Sequence, residues 1–131
     1  MRVIPEDDVL GHHGAMDLTI VGCSGSLPGP QSPASCYLVR ADDGGRTWQV
    51  LLDLGSGALG ALQRYCDPLA IDAVLISHLH ADHFFDISGF YVMRKYHPRG
   101  PQRKIPVYGP RGTRSRVARA YGLPLDRYRQ F

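Results

Sequence analysis

No apolar run in this 131-residue sequence approaches the ~20 residues that a membrane-crossing helix requires. The opening residues, Met1 to Asp8, carry acids at Glu6, Asp7 and Asp8 and no long apolar segment, so they do not read as a secretion signal. Cysteine is scarce. Cys23, Cys36 and Cys66 are odd in number and lack C-x-x-C spacing, which argues against a disulfide framework and for free thiols in a reducing, cytoplasmic setting. A G-x-S-x-G elbow is missing, so serine-nucleophile chemistry of that kind has no basis. The turn from Gly22 to Gly25 lacks the P-loop lysine, which removes nucleotide binding of that type. Lysine is absent before residue 94: residues 1–93 hold four Arg against eleven acids, a net charge of −7. Residues 94–131 hold eleven Lys and Arg against the single acid Asp126, a net of +10. Internal repeats and low-complexity segments are also lacking.

What is present suits a folded domain. Hydrophobic residues make up 44% of the chain, enough for a core and too many for a disordered polymer. Residues 1–15 read as a polar, disordered leader ahead of a second plausible start at Met16, with His12-His13 open to two readings, a stray metal site or a remnant of an appended segment. From there the pattern predicts a strand at Leu18–Val21, closed by a glycine turn. Two further strands, Cys36–Val39 and Trp48–Leu52, are joined by the hairpin signal Asp42-Asp43-Gly44-Gly45. Ser56–Tyr65 reads as a helix and Ala73–Ser77 as a buried strand. Asp82–Tyr96 reads as a single helix whose aromatic stripe is core packing. Ile105–Tyr108 reads as an edge strand and Gly112–Tyr121 as a basic last helix.

The most informative residues follow the buried strand: His78-Leu79-His80-Ala81-Asp82-His83. Neutral imidazole and carboxylate are the preferred nitrogen and oxygen ligands of zinc and its neighbours. His78 and His80 alternate and share one face of an extended segment, whereas Asp82 and His83 point elsewhere, which suits a second metal beside the first.

The spacing H-x-H-x-D-H after a buried strand resembles the signature of the metallo-β-lactamase superfamily of metallohydrolases. Leu51-Leu52-Asp53-Leu54-Gly55-Ser56-Gly57 is similar to that family's first motif. Gly22-Cys23-Ser24-Gly25-Ser26-Leu27-Pro28 resembles the glycine-rich turn of its ribonuclease Z and phosphodiesterase branch. The resemblance implies an α+β fold, the αββα sandwich, of which this chain supplies roughly the N-terminal half across residues 16–131. It implies that His78 and His80 hold one metal and that Asp82 and His83 hold the other. Zn2+ is the expected ion, with Mn2+ or Fe2+ as alternatives. Asp53 is expected to support the metal loop by accepting its hydrogen bonds, and a helix cap for residues 56–65 is a compatible role. The family completes each metal site with downstream residues, of which only His97 has a counterpart in kind here. His97 reads as a surface histidine at a helix end, and Asp86 lies too near the motif to match the family's distant bridging carboxylate. The chain alone is therefore expected to be inactive.

Two cations about 3.5–4 Å apart lower the pKa of a shared water and stabilise the oxygen that gains charge in the transition state. Asp82 is expected both to bind metal and to orient that hydroxide, which makes it the candidate catalytic residue. A basic segment beside such a site suits a phosphodiester or RNA better than a neutral lactam. The bland alternatives are equally open, namely that downstream residues neutralise this face or that Arg114, Arg116 and Arg119 form a solvated helix surface. Ser77-His78-Leu79-His80, Asp82-His83 and Gly89 resemble ribonuclease Z. Asp86 and Ser88 depart from its usual Gly and Pro, and its Arg-Asn pair near Ser32-Pro33 is absent. The stretches Gly25–Ser35 and Tyr91–Arg99 look more like metallohydrolases related to cyclic-nucleotide phosphodiesterases. The expectation is thus a small-substrate phosphodiesterase, with a transfer-RNA 3′-processing nuclease as runner-up and an incomplete binding module as the non-enzymatic alternative. No membrane partner is expected, and a homodimer is compatible with the sequence.

Overall fold

A computed structural model describes residues 16–124. Three antiparallel strands come first: β1 (Met16–Gly22), β2 (Cys36–Asp43) and β3 (Arg46–Leu52). Between β2 and β3 the turn has only two residues, Gly44 and Gly45, at φ 58° and 77°. Positive φ at both central positions matches the right-handed twist of the flanking strands, and glycine adopts it without steric cost. The chain then passes through α1 (Ala58–Leu62) and a single 3-10 turn (Pro68–Ala70) into β4 (Ala73–Leu75), which lies parallel to β3. A second crossover through α2 (Ala81–Phe84) and α3 (Ile87–Lys95) leads to β5 (Val107–Tyr108), parallel to β4. Helix α4 (Thr113–Tyr121) follows, and the sheet order is β1-β2-β3-β4-β5.

Register decides which residues share a face. Leu38, Leu51 and Val74 are fully buried and pack with Leu62, Phe84, Ile87, Phe90, Tyr91 and Val117 on the helical side. The cross-strand partners Ile20, Tyr37 and Leu52, continuing to Leu75 and Tyr108, line the opposite face. That second face is apolar yet open: Leu18 and Tyr108 are each 60% exposed and Ile20 is 56% exposed. A sheet that is apolar on both sides is one layer of a sandwich, as the αββα architecture requires.

Two expected elements are corrected. The single helix over Asp82–Tyr96 is two helices, α2 and α3, broken at Phe85-Asp86. The break has a local cause: the Asp86 N–H leaves the helical ladder and donates to the Leu54 carbonyl at 3.1 Å, while the Leu54 N–H donates to the His83 carbonyl at 2.8 Å. The strand expected to reach Ser77 stops at Leu75, because Asp53 takes the Ser77 N–H for its own carboxylate. The leader expected over residues 1–15, with His12-His13, lies outside the described residues, as does Asp126.

Part of the basic excess is used to hold the fold. Asp72 is buried and accepts from the guanidinium groups of Arg46 and Arg103 and from the Gln49 N–H. Burial alone would raise its pKa, but the Gln49 N–H and the two arginines outweigh it and hold the carboxyl below its ordinary 3.8. The native state thus binds that proton less readily than the unfolded chain, so the stabilisation is complete above pH 3.8 and is lost as pH falls below it. Asp72→Asn is expected to cost about 1–2 kcal/mol at pH 7, a figure kept low because both arginines are half exposed. In urea unfolding the gap between wild type and variant should shrink steadily on acidification below pH 4. An equal gap at pH 7 and pH 3 would refute the assignment. Arg94, fully buried, donates to the Arg103 carbonyl at 2.6 Å and lies over the Phe90 ring.

Candidate metal centre

The loops at the carboxyl ends of β3 and β4, the parallel pair, meet at one point, the usual place for a site in a sheet with crossover helices. Asp53 ends β3 in the left-handed region, at φ 60°, a conformation that costs energy for any residue with a Cβ and that Asp tolerates better than most. This turn aims its buried carboxylate at the loop after β4. Oδ1 accepts the Ser77 N–H at 2.7 Å, Oδ2 accepts the Ser77 hydroxyl at 2.7 Å, and Oδ2 lies 2.6 Å from His83 Nδ1. The Asp53 side chain does not cap α1. That role falls to Asp86, whose Oδ2 accepts the Leu59 N–H at 2.9 Å. Burial raises the pKa of Asp86, and the N–H groups of Leu59, Gly57 and Ala58 partly offset the rise.

One carboxylate sets the tautomers of two imidazoles. Asp53 is an acceptor, so His83 Nδ1 carries the proton that it receives, and His83 Nε2 is left with a lone pair. Ser77 spends its only hydroxyl proton on Asp53, so at 3.0 Å its oxygen accepts from His78 Nδ1–H, which leaves His78 Nε2 with a lone pair as well. The rings cluster: the His78 centroid lies 3.8 Å from His83 and 4.9 Å from His80. On the far side of His83, Nε2 is 3.3 Å from Asp82 Oδ2. Two donors that each sit about 2.0–2.2 Å from one tetrahedral zinc ion are themselves about 3.3 Å apart, so this spacing fits a shared divalent cation. Burial would raise the pKa of Asp82, but hydrogen bonds from its own N–H and the Ser26 hydroxyl lead the effects that lower it on balance and favour the ionised carboxylate. Among the described residues no three His, Cys, Asp or Glu side chains form a closed ligand group. The loop therefore offers part of a coordination shell.

Close backbone contact holds this loop in place. A Cβ on Gly55 would sit 1.8 Å from the Asp82 carbonyl oxygen and 2.9 Å from the Ala34 Cβ. Sequence reasoning passed over Ser77 and Ser26 as working parts of the site. A serine directly before the first His of the motif, and a serine in the glycine-rich turn, were the available signals. Cys23, in the same turn, is exposed, and its N–H donates to the Ser32 hydroxyl at 3.2 Å. Cys36 is buried, and burial, followed by the charges of Asp53, Asp86 and Cys66, pushes its thiol up to about 12, so it is an inert core residue. His97 lies beyond the end of α3, half-exposed, with its Nδ1 accepting the Arg99 N–H at 3.2 Å.

The sequence profile of the Metallo-beta-lactamase superfamily matches residues 29–129. The chain belongs to the metallo-beta-lactamase superfamily. This is a superfamily of metal-dependent hydrolases, generally built around divalent ions. An uncharacterised Mycobacterium tuberculosis protein is 50% identical over 130 residues, a match that covers 95% of this chain and 46% of the relative. The crystal structure of the metallo-beta-lactamase fold protein YhfI from Bacillus subtilis superposes with a TM-score of 0.63 at 32% identity, covering 72% of this chain and 37% of that one. The short form of human tRNase Z also gives a TM-score of 0.63, at 30% identity over 78% of this chain and 38% of its own. The chain thus spans less than half the length of these metallo-beta-lactamase relatives. No helix among the described residues is long and apolar enough to cross a membrane.

Proposed function

We propose that residues 16–131 form the N-terminal half of a metallo-β-lactamase domain that hydrolyses small phosphodiesters, cyclic nucleotides among them, and that is inactive without its second half. The observation that carries this reading is the Asp53–Ser77–His78 chain and its branch to His83, which leaves Nε2 lone pairs on His78 and on His83, the latter 3.3 Å from Asp82. His78 and His80 would hold one divalent ion, and Asp82 with His83 a second, with Zn2+ the expected metal. When bound, such a pair supplies Lewis-acid polarisation of the phosphoryl oxygen and a nucleophilic water at neutral pH. Asp82 would orient that water through its carboxylate, Asp53 keeps His83 and, through Ser77, His78 in the ligating tautomer, and Ser26 steadies Asp82.

A ribonuclease Z-type activity is the second reading, favoured by the likeness to human tRNase Z. Against it, two of the departures from that pattern have local work here: Asp86 caps α1, and the Ser32 hydroxyl accepts the Cys23 N–H. The test uses the full-length protein loaded with Zn2+. Hydrolysis of cyclic AMP and of bis(4-nitrophenyl) phosphate is expected, abolished by a chelator and restored by metal. Salt-sensitive cleavage of precursor transfer RNA, with no turnover of cyclic AMP or cyclic GMP, would transfer the assignment to the nuclease. Absence of both activities would refute the enzymatic reading.

A further inference from the structure

Beside the metal loop lies a hollow of about 400 Å3 lined by His80 together with Arg116 and Arg119. The rest of its lining is carbon, from Leu79, Phe85 and Ala120 among others. Arg116 and Arg119 are three residues apart on α4 and so project from one helix face. Between them Val117 and Ala118 are buried in the core, which anchors the helix and holds the two guanidinium groups at the rim. Helix α4 has no acid to neutralise them.

We propose that this hollow seats one nucleotide unit of the substrate, with its phosphate on Arg116 and Arg119 and its base against Phe85. The inference rests on the phosphodiesterase reading and adds to it the residues that would hold the substrate. Guanidinium forks match phosphate oxygens in pairs, which fits the charge of the rim. The exposed Phe85 ring, 45% accessible, offers the flat apolar surface on which a base stacks without regard to sequence. The volume is that of a pocket for one small ligand rather than a groove for a polymer. Adjacency to His80 sets the unit's phosphate beside the metal loop, where hydrolysis would occur. The chemistry recognised, a single nucleoside monophosphate unit, is shared by a free or cyclic nucleotide and by the terminal nucleotide of an RNA.

Binding of 5′-AMP to the full-length protein in a chelator, measured by calorimetry, tests the seat without relying on turnover. Arg116→Ala/Arg119→Ala is expected to weaken AMP about tenfold or more, and Arg116→Lys/Arg119→Lys to retain part of the affinity. Adenosine, which has no phosphate, should bind the wild type and the double alanine variant alike, and Arg99→Ala should leave AMP binding unchanged. Unfolding midpoints of the variants confirm that the fold persists. Displacement of AMP by a short RNA, steeply weakened by salt, would identify the RNA terminus as the natural source; its failure to compete would identify the free nucleotide. Equal AMP affinity in the wild type and the double alanine variant overturns the proposal. If the loaded wild type hydrolyses no phosphodiester while AMP binding still depends on the two arginines, the nucleotide seat stands and the catalytic reading falls.

Discussion

Replacing His80 or Asp82 by alanine is expected to lower phosphodiester hydrolysis by the full-length protein more than about 100-fold, whereas His97→Ala keeps the rate within about twofold. Removing a supporting partner of a metal ligand typically costs 10–100-fold, and removing a ligand costs more. His80 and Asp82 each bring one of the few lone-pair donors of the loop, and the described residues contain no closed ligand group with donors to spare. His97 sits past the end of α3, engaged with the Arg99 N–H. Asp53→Asn should fall between these limits, at about 10–100-fold, because an amide that turns its NH2 toward His83 Nδ1–H sets donor against donor. Steady-state rates on bis(4-nitrophenyl) phosphate, paired with elemental analysis for zinc, separate loss of metal from loss of chemistry. A fully active His80→Ala, or an inactive His97→Ala, contradicts the placement of the site.

Gly55→Ala should be among the most damaging single changes in the chain, although alanine is the smallest possible addition. The added Cβ would meet the Asp82 carbonyl oxygen at 1.8 Å, and that atom belongs to the backbone of the metal loop, so no side chain can rotate away. Relief requires moving the β3 loop off α2, which breaks the bonds from Leu54 N–H to His83 and from Asp86 N–H to Leu54. Overpacking usually costs about 1–3 kcal/mol, and a backbone clash lies at or beyond the top of that range. Activity should fall with stability, since Asp82 is the residue displaced. Gly57→Ala makes the contrast. Its nearest neighbour is 3.5 Å away, and its cost comes from a φ of 80°, about 1–2 kcal/mol, with no push on Asp82. Urea unfolding and hydrolysis rates on the pair check this; an unchanged unfolding midpoint in Gly55→Ala would show that the two loops are not in contact as described.

The corrected helix shows why some local readings fail while others succeed. Phe84, Ile87 and Tyr91 recur at helical spacing, and all three are buried on the helical side. The same pattern continues through Phe85-Asp86 without a glycine or proline, so nothing local announces the break. The break exists because a loop about 30 residues earlier, at Leu54, supplies a carbonyl for the Asp86 N–H and an N–H for the His83 carbonyl. Likewise, Ala73–Ser77 reads as a uniform strand until the Asp53 carboxylate competes for the Ser77 N–H. Charge behaved in the same way. The +10 of residues 94–131 is plain to see. Only packing separates Arg103, bound to Asp72, and Arg94, buried over Phe90, from Arg116 and Arg119 beside His80.

By itself the sequence determined which residues are candidate ligands, the hairpin at Gly44-Gly45 and the existence of nearly every strand and helix, because these depend on residue type and on short periodicities. The superfamily followed from His78, His80, Asp82 and His83, whose spacing lies within one loop. The tertiary structure alone decided that Ser77 passes the influence of Asp53 to His78, that Asp86 caps α1, that Gly55 must lack a side chain, and which arginines face the metal loop. Each of these joins segments about 20 or more residues apart or turns on the direction of a single hydrogen bond, and such contacts are made by the packing of the β3 and β4 loops, which no local pattern encodes.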